Sequence, residues 1–444
     1  MHVKAHLDLD LVALEATDQL TLMLDLTAPI SDNAKARAGQ AVQIVLDRSG
    51  SMNGERLESA KASLLRLVDR LAPQDSFGLV AFDDEALVVA PMRRMSDHHL
   101  PSLKKAIREL ETGGSTDLAA GYLMGLRQLA QVQSQGGSTL LLISDGHANS
   151  GEQDPKVLQS IATKHATSKI TTSTIGIGTG YNEILLEAIS TGGGGAHRFA
   201  STVDEAVGAI SAEVNDLLDK SAVNTVLHIK PVPGLTGVPA IQVLQRLPFW
   251  KNGDDYVVQL GDLYAGENRR VVIALDVPGM ASLGLTKIAD IVIEYLDLTS
   301  MNEISVTMPV SVNVVPLDVA AGRVADPIVR AERLIVEAQT EKATATEEIR
   351  AGKVREATSR LKGTASKLLR EASNIPVTDE RSAESLEIIK SEASEMERLA
   401  EITQTEDILH SSKRMQESWS LRTRARRFRQ DHTDTSKIDP DYLN

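Results

Sequence analysis

Residues 41–52 read Ala-Val-Gln-Ile-Val-Leu-Asp-Arg-Ser-Gly-Ser-Met. The first six form a short apolar run with β-branched residues, the composition of a strand buried on both faces. Asp47, Ser49 and Ser51 then put three oxygen-bearing side chains at alternate positions as the chain leaves that strand, and Gly50 between the serines lets it turn tightly. Residues 55–71 follow with helical periodicity. A strand that passes through a polar turn into a helix is the unit of an open parallel sheet, whose ligands bind outside the carboxyl ends of the strands.

The same alternation continues outward. Phe77–Phe82, Thr139–Ile143 and Thr171–Ile177 read as strands. Leu103–Leu110, Leu118–Val132, Pro155–His165 and Asp204–Leu218 read as helices. This predicts a doubly wound, Rossmann-like α/β domain with a mostly parallel sheet over residues 40–220. Two further polar segments fall where the same mouth should lie. Gly113-Gly114-Ser115-Thr116-Asp117 precedes a helix, and Ser144-Asp145-Gly146 ends the very apolar strand Thr139–Ile143.

Oxygen ligands without His or Cys select hard cations, and three hydroxyls with two carboxylates suit Mg²⁺, with Mn²⁺ or Ca²⁺ as alternatives. Asp47 and Asp145 offer two negative charges and the hydroxyls none, while nearby helix N-termini add roughly half a positive charge each. A site charged with a dication is then neutral to slightly positive and has room for one more carboxylate. Asp-x-Ser-x-Ser is also the composition of a helix cap. Thr116 and Asp145, each at its own strand end, favour the metal over the cap.

Asp47, Ser49, Ser51, Thr116 and Asp145 match, in order and context, the five-residue metal-ion-dependent adhesion site (MIDAS) of von Willebrand factor A-type (VWA) domains. The resemblance covers about residues 40–220, and in detail the chain resembles bacterial, especially actinobacterial, members. It implies that Ser49, Ser51 and Thr116 coordinate Mg²⁺ directly and that Asp47 and Asp145 act mostly through waters. It further implies that an Asp or Glu of a protein partner completes the shell, a binding module with a scaffold or assembly role and no enzymatic activity. Two alternatives stay open: an accessory subunit of an ATPase complex, as in chelatase-like systems, and a scaffold that assembles through its C-terminal helices.

The flanks differ in character. Residues 3–28 alternate as two half-buried strands, with Val3, Ala5, Leu7, Leu9 and Leu11 on one face. Two strands alone are not stable and need a sheet from elsewhere. Residues 30–40 read as a polar linker. Strands return after residue 220, with Val223–Ile229, Ile241–Leu247, Tyr256–Leu260, Arg270–Val277, Ala289–Tyr295 and Glu303–Val315 as candidates, and Asn252-Gly253 as a hairpin turn. Residues 1–30 and 221–318 are therefore expected to form one β-sandwich into which the α/β domain is inserted. From Asp326-Pro327, an N-cap with proline at the first helical position, residues 326–430 read as a helical bundle, and residues 431–444 as a disordered tail.

The chain has 444 residues, no cysteine and a formal net charge of -14. Disulfides and Cys-zinc sites are excluded, and nucleic acid is disfavoured as a general partner because phosphate neutralisation needs excess Lys and Arg. The N-terminus lacks the basic start and apolar run of a secretory signal, and no stretch approaches the ~20 apolar residues of a membrane helix. These features predict a cytoplasmic protein that does not engage a membrane.

Other motifs yield to plainer readings. Gly176-Ile-Gly178-Thr-Gly180 is followed by Tyr181 and so misses the dinucleotide fingerprint. Gly192–Gly195 reads as a turn into an edge strand. His147 and Asn149 are as well placed for partner contact as for a polar loop. No Gly-x-Ser-x-Gly elbow surrounds Ser49 or Ser51. Phe249-Trp250 reads as a core staple of the sandwich in preference to an exposed contact patch. Arg422, Arg424, Arg426, Arg427 and Arg429 read as a basic helix end. Asp439 and Asp441 offer a tail carboxylate that could cap the metal in cis.

Overall fold

The computed structural model describes residues 1–30, 39–132, 137–146, 148–178, 180–218, 220–232, 241–245, 247–375, 377, 380–405 and 413. In chain order the elements are β1 (His2–Leu7), β2 (Leu11–Ala13), β3 (Asp18–Thr27), β4 (Ala41–Asp47), α1 (Glu55–Arg70), β5 (Ser76–Phe82), β6 (Ala86–Arg94), α2 (Leu100–Arg108), α3 (Leu118–Leu129) and β7 (Ser138–Ser144). Next come α4 (Pro155–Thr167), β8 (Ile170–Ile177), α5 (Glu183–Gly192), β9 (Gly194–Ala200), α6 (Val203–Leu218), β10 (Lys220–Pro231), β11 (Ile241–Val243), β12 (Phe249–Asn252) and β13 (Asp255–Tyr264). Strands β14 (Asn268–Val277), β15 (Gly284–Asp297) and β16 (Asn302–Val315) precede α7 (Leu317–Ala320), α8 (Pro327–Arg350), α9 (Val354–Ala372) and α10 (Glu380–Thr405).

The quoted stretch becomes β4, buried at every position. It lies at the centre of a sheet ordered β6-β5-β4-β7-β8-β9. Its neighbours β5 and β7 run parallel to it. Helices cover both faces, as double burial requires. Leu57, Leu64, Leu103, Ile107 and Ile210 from α1, α2 and α6 pack on one face. Tyr122, Leu126, Leu158, Leu185 and Ile189 from α3, α4 and α5 pack on the other. Strand order reverses between β4 and β7, so the switch point of the sheet lies at the ends of those two strands.

Two strands of this sheet carried weaker signals. The edge strand β6 pairs antiparallel to β5. Its sequence includes Pro91, which an edge position tolerates. The four glycines lead into β9, the edge strand at the other end, as their composition suggests.

The N-terminal strands find their sheet. β3 pairs on one side with β1 and on the other with β14, over ten residues from Asp18↔Val277 to Thr27↔Asn268. Together with β11 they form a four-stranded sheet that faces a six-stranded one ordered β12-β13-β10-β15-β16-β2. Leu20, Leu22, Leu24 and Leu26 of β3 fill the core between them. The chain leaves this sandwich after β3 and returns in β10, so the α/β domain is an insertion within it. The turn at Asn252-Gly253 joins β12 to β13, with Gly253 at φ +64° as such a turn demands.

One reading is corrected. Phe249 and Trp250 lie on the edge strand β12 and are exposed, at 37% and 44%. Phe249 stacks on Tyr256 of the neighbouring strand rather than entering the core. The six-stranded sheet already fills its inner face with Val258, Leu260 and Leu263 of β13, so the short edge strand has no core left to enter.

Asp326 accepts from the amides of Ile328 and Val329, and Pro327 opens α8. Met23 and Val272 on the outer face of the four-stranded sheet pack against Val329 and Val336 of α8. The bundle of α8, α9 and α10 is therefore built onto the sandwich. Among the described residues, its core of Ala, Leu and Ile side chains encloses an ionic group, Lys342 with Glu392 and Glu395. None of the described helices is long and apolar enough to cross a membrane. The arginine cluster at 422–429 and the 431–444 tail, including Asp439 and Asp441, lie outside the described residues, as does His147.

Candidate metal centre

The five residues singled out in the sequence meet at the sheet's switch point. Register alone brings two of the three segments together: Leu46 pairs with Ile143, so Asp47 and Ser144, the residue before Asp145, end neighbouring strands side by side. Backbone bonds bring in the third segment. Gly113 donates to the carbonyl of Arg48 at 2.7 Å, and Gly50 donates to the carbonyl of Gly114 at 3.0 Å. These clamp the 113–117 loop over the 48–51 turn and set Thr116 beside the serines. Asp117 then caps α3 by accepting from the Ala120 amide at 2.8 Å.

The oxygens converge. The Ser49 and Ser51 hydroxyls lie 3.1 Å apart, and Ser51 donates to Asp145 Oδ1 at 2.7 Å. Gly146 faces the same space: a Cβ there would lie 3.2 Å from the Thr116 hydroxyl, 3.3 Å from that of Ser51 and 3.6 Å from that of Ser49. Three hydroxyls from two loops thus surround one point beside the Asp145 carboxylate. Asp47, Ser49, Thr116 and Asp145 are buried, and Ser51 is exposed, so the centre opens to solvent on the Ser51 side.

Asp47 already uses both oxygens. Oδ1 accepts from the Ser49 amide at 2.8 Å and Oδ2 from the Ser144 hydroxyl at 2.6 Å. Burial pushes its carboxyl above the usual range; the bonds from Ser144 and Ser49 oppose that, and the nearby Asp145 charge adds to it. Two carboxylates crowded into a dry pocket call for a cation.

The donor set fits a hard divalent cation. Among the described residues no group of three or more His, Asp or Glu could hold a metal. Any ion here must draw on hydroxyl oxygens, which these loops supply. The two charges and three hydroxyls match the oxygen chemistry of Mg²⁺.

Several contributors were not legible as such in the sequence. Ser144 stood in the quoted Ser-Asp-Gly segment without a role and orients Asp47. Asn149 is exposed and braces Thr116, accepting from its amide at 2.9 Å. Arg48 turns away from the centre to Asp83 at 2.7 Å. Burial alone would raise the Asp83 carboxyl, but the Glu85 amide and Arg48 outweigh it and hold it below its ordinary value. Arg56, in the first turn of α1, reaches back to Asp145 Oδ2 at 2.5 Å. No spacing rule pointed to it.

The described residues of the glycine-rich segment after β8 approach the rim. Gly178 takes φ +71°, and the amide of Asn182 donates to the carbonyl of Gly146 at 3.3 Å. Asn182 also caps α5. Tyr181 turns inward beneath Gly176, its hydroxyl 3.1 Å from His197 Nε2.

Comparison with known proteins agrees with this fold. Residues 42–213 match the model of the von Willebrand factor type A domain. The uncharacterised Synechocystis protein sll0103 is 28% identical over 315 residues, covering 69% of this chain and 74% of its own length. The uncharacterised Escherichia coli protein YfbK is 29% identical over 267 residues, which span 59% of this chain and only 46% of that protein. Among solved structures, a von Willebrand factor type A protein from Catenulispora acidiphila superposes with a TM-score of 0.68 at 17% identity, covering 90% of this chain and 96% of its own. The ArnB paralog VWA2 from Sulfolobus acidocaldarius gives a TM-score of 0.58 at 16% identity, covering 88% and 97%. At such identities the likeness is one of fold, and it extends well beyond the α/β domain.

Proposed function

We propose, from the premise that this chain carries a von Willebrand factor type A domain at residues 42–213, that it is a divalent-cation-dependent protein-binding module. Domains of this family often mediate metal-dependent protein interactions. The observation that carries the reading is the convergence of the Ser49, Ser51 and Thr116 hydroxyls on one point beside Asp145, at the solvent-open end of the sheet. In this reading Ser49, Ser51 and Thr116 coordinate the cation. Asp47 and Asp145 supply its counter-charge, with Asp47 held in place by Ser144. Bound Mg²⁺ contributes an open coordination position for one further anionic oxygen. The Ser51 side of the centre is exposed, so a protein partner's Asp or Glu side chain can reach that position. The reading assigns binding and no catalytic step.

The test is capture of partners from a native extract by the full chain in Mg²⁺ and in chelator, with Asp47→Ala alongside. Chelation and Asp47→Ala are each expected to abolish capture while the far-ultraviolet circular dichroism stays that of the folded chain. Equal capture with and without chelator would rule out the metal bridge.

A further inference from the structure

The charge count at the centre has a member that the five-residue motif does not include. Arg56 Nη1 lies 2.5 Å from Asp145 Oδ2 and 3.2 Å from the Ser51 carbonyl oxygen. Asp145 is thereby divided between two directions: Oδ1 faces the Ser51 hydroxyl and the converging oxygens, and Oδ2 faces the guanidinium. The surroundings leave room for this arm. A Cβ at position 178 would approach Arg56 Nη2 to 3.1 Å, and the φ of +71° there already favours glycine. The Asp145 side chain is fully buried, but that of Arg56 is 39% exposed, so the arm has an outward path to solvent.

We infer that Arg56 is a tethered counter-ion that competes with the divalent cation for Asp145. This rests on the reading that the five oxygens hold such a cation. A guanidinium on Asp145 leaves one carboxylate charge, that of Asp47, unbalanced in the centre instead of two. A dication set among the hydroxyls comes close to that guanidinium in a poorly solvated pocket, where like charges repel far more than in water. The two cations therefore oppose each other. Without metal, Arg56 relieves the repulsion between Asp47 and Asp145. With metal, the arm loses its hold on Asp145 and turns toward solvent, adding a positive group to the rim that a partner's carboxylate approaches.

Titration calorimetry of the full chain with Mg²⁺ and with Mn²⁺ tests this on wild type, Arg56→Gln and Arg56→Lys. Arg56→Gln is expected to bind both ions about tenfold more tightly, the loss of a rival contact worth ~1.4 kcal/mol, and Arg56→Lys to stay near wild type. Thermal melts supply a readout that a merely structural arginine would not give. In chelator Arg56→Gln should melt below wild type, and saturating Mg²⁺ should close that gap. Unchanged or weaker metal binding by Arg56→Gln, or an equal melting deficit with and without Mg²⁺, overturns the inference while leaving the metal site standing. Failure of wild type itself to bind either ion overturns the metal site and this inference together.

Discussion

Gly146 and Ser144 flank Asp145 and govern the centre in opposite ways, one by what it lacks and one by what it gives. Gly146 has no positive φ, so alanine is compatible with the backbone there, but its methyl would press on the Thr116 and Ser51 hydroxyls at 3.2 and 3.3 Å and touch that of Ser49 at 3.6 Å. Gly146→Ala is expected to cost about tenfold in Mg²⁺ affinity, ~1.4 kcal/mol, measured by calorimetry, with little change in the urea midpoint. Ser144→Ala acts on stability instead. It removes the 2.6 Å donor to a buried carboxylate and leaves Asp47 Oδ2 unsatisfied. A loss of ~1–3 kcal/mol is expected from urea unfolding in chelator. The five motif residues could be read from the sequence because hydroxyl and carboxylate side chains at strand ends advertise oxygen chemistry. Ser144 and Arg56 could not, because a serine in a strand and an arginine in a first helical turn are both ordinary.

At the scale of elements, one buried contact joins the inserted domain to the sandwich. Lys220 opens β10 and pairs with Asp262 of β13 at 2.5 Å, and it also donates to Thr139 of β7 at 2.6 Å. Thr171 of β8 donates to the same Asp262. Thr139 and Thr171 stand at the N-terminal ends of their strands, so this joint lies at the opposite end of the sheet from the metal centre. Asp262→Ala would strand a lysine whose side chain is 1% exposed, and a loss of ~3–5 kcal/mol is expected from urea unfolding. Mg²⁺ affinity should be unaltered, which separates the joint from the site. Burial acts to raise the Asp262 carboxyl, but Lys220 and the bonds from Thr171 and Asn224 outweigh it and hold it below its ordinary value. Its contribution is then complete above that ordinary value and is lost as acid takes the pH down through the lower folded one. The strands themselves were legible from apolar runs. Their cross-domain partners were not, since Lys220, Thr139, Thr171 and Asp262 are far apart in the chain and individually unremarkable.

Over the whole molecule, the helical bundle touches the α5 end that borders the candidate metal centre. Arg350 at the end of α8 reaches Glu183, the first residue of α5, at 2.7 Å. Lys413 lies in the same place, donating to the Tyr181 carbonyl at 2.9 Å with its ammonium 3.6 Å from the centre of the Tyr181 ring. Segments 167 and 232 positions downstream of the loop thus meet it where Asn182 contacts Gly146. Burial pushes the Lys413 ammonium down to about 8; Glu183 opposes this and Arg350 reinforces it. A lysine depressed in the folded state binds fewer protons there than in the unfolded chain between about 8 and its ordinary 10.5. Its linkage therefore makes stability rise with pH across that window, and below about 8 the cost of charging the buried ammonium is complete and no longer changes with pH. Denaturant midpoints from pH 7.5 to 10 should show this rise in wild type and a flatter profile in Lys413→Met. An identical slope in both would assign the effect elsewhere.

The sequence by itself determined the class of the inserted domain, the insertion between two groups of strands, and five oxygen-bearing side chains that gather at one end of its sheet. Period and composition are local properties, and a strand buried on both faces or a Ser-Gly-Ser turn looks the same before and after folding. Only the tertiary structure decided what surrounds those donors. The clamp of the 113–117 loop, the arm of Arg56 on Asp145 and the approach of Arg350 and Lys413 to the rim are contacts between segments distant in the chain. Phe249 and Trp250 belong to the same lesson: aromatic side chains announce that they need contact area, but only the filled inner face of the finished sheet decided that theirs would lie outside. Pairings of this kind depend on register, sheet order and the space left by other side chains, and no single segment carries that information.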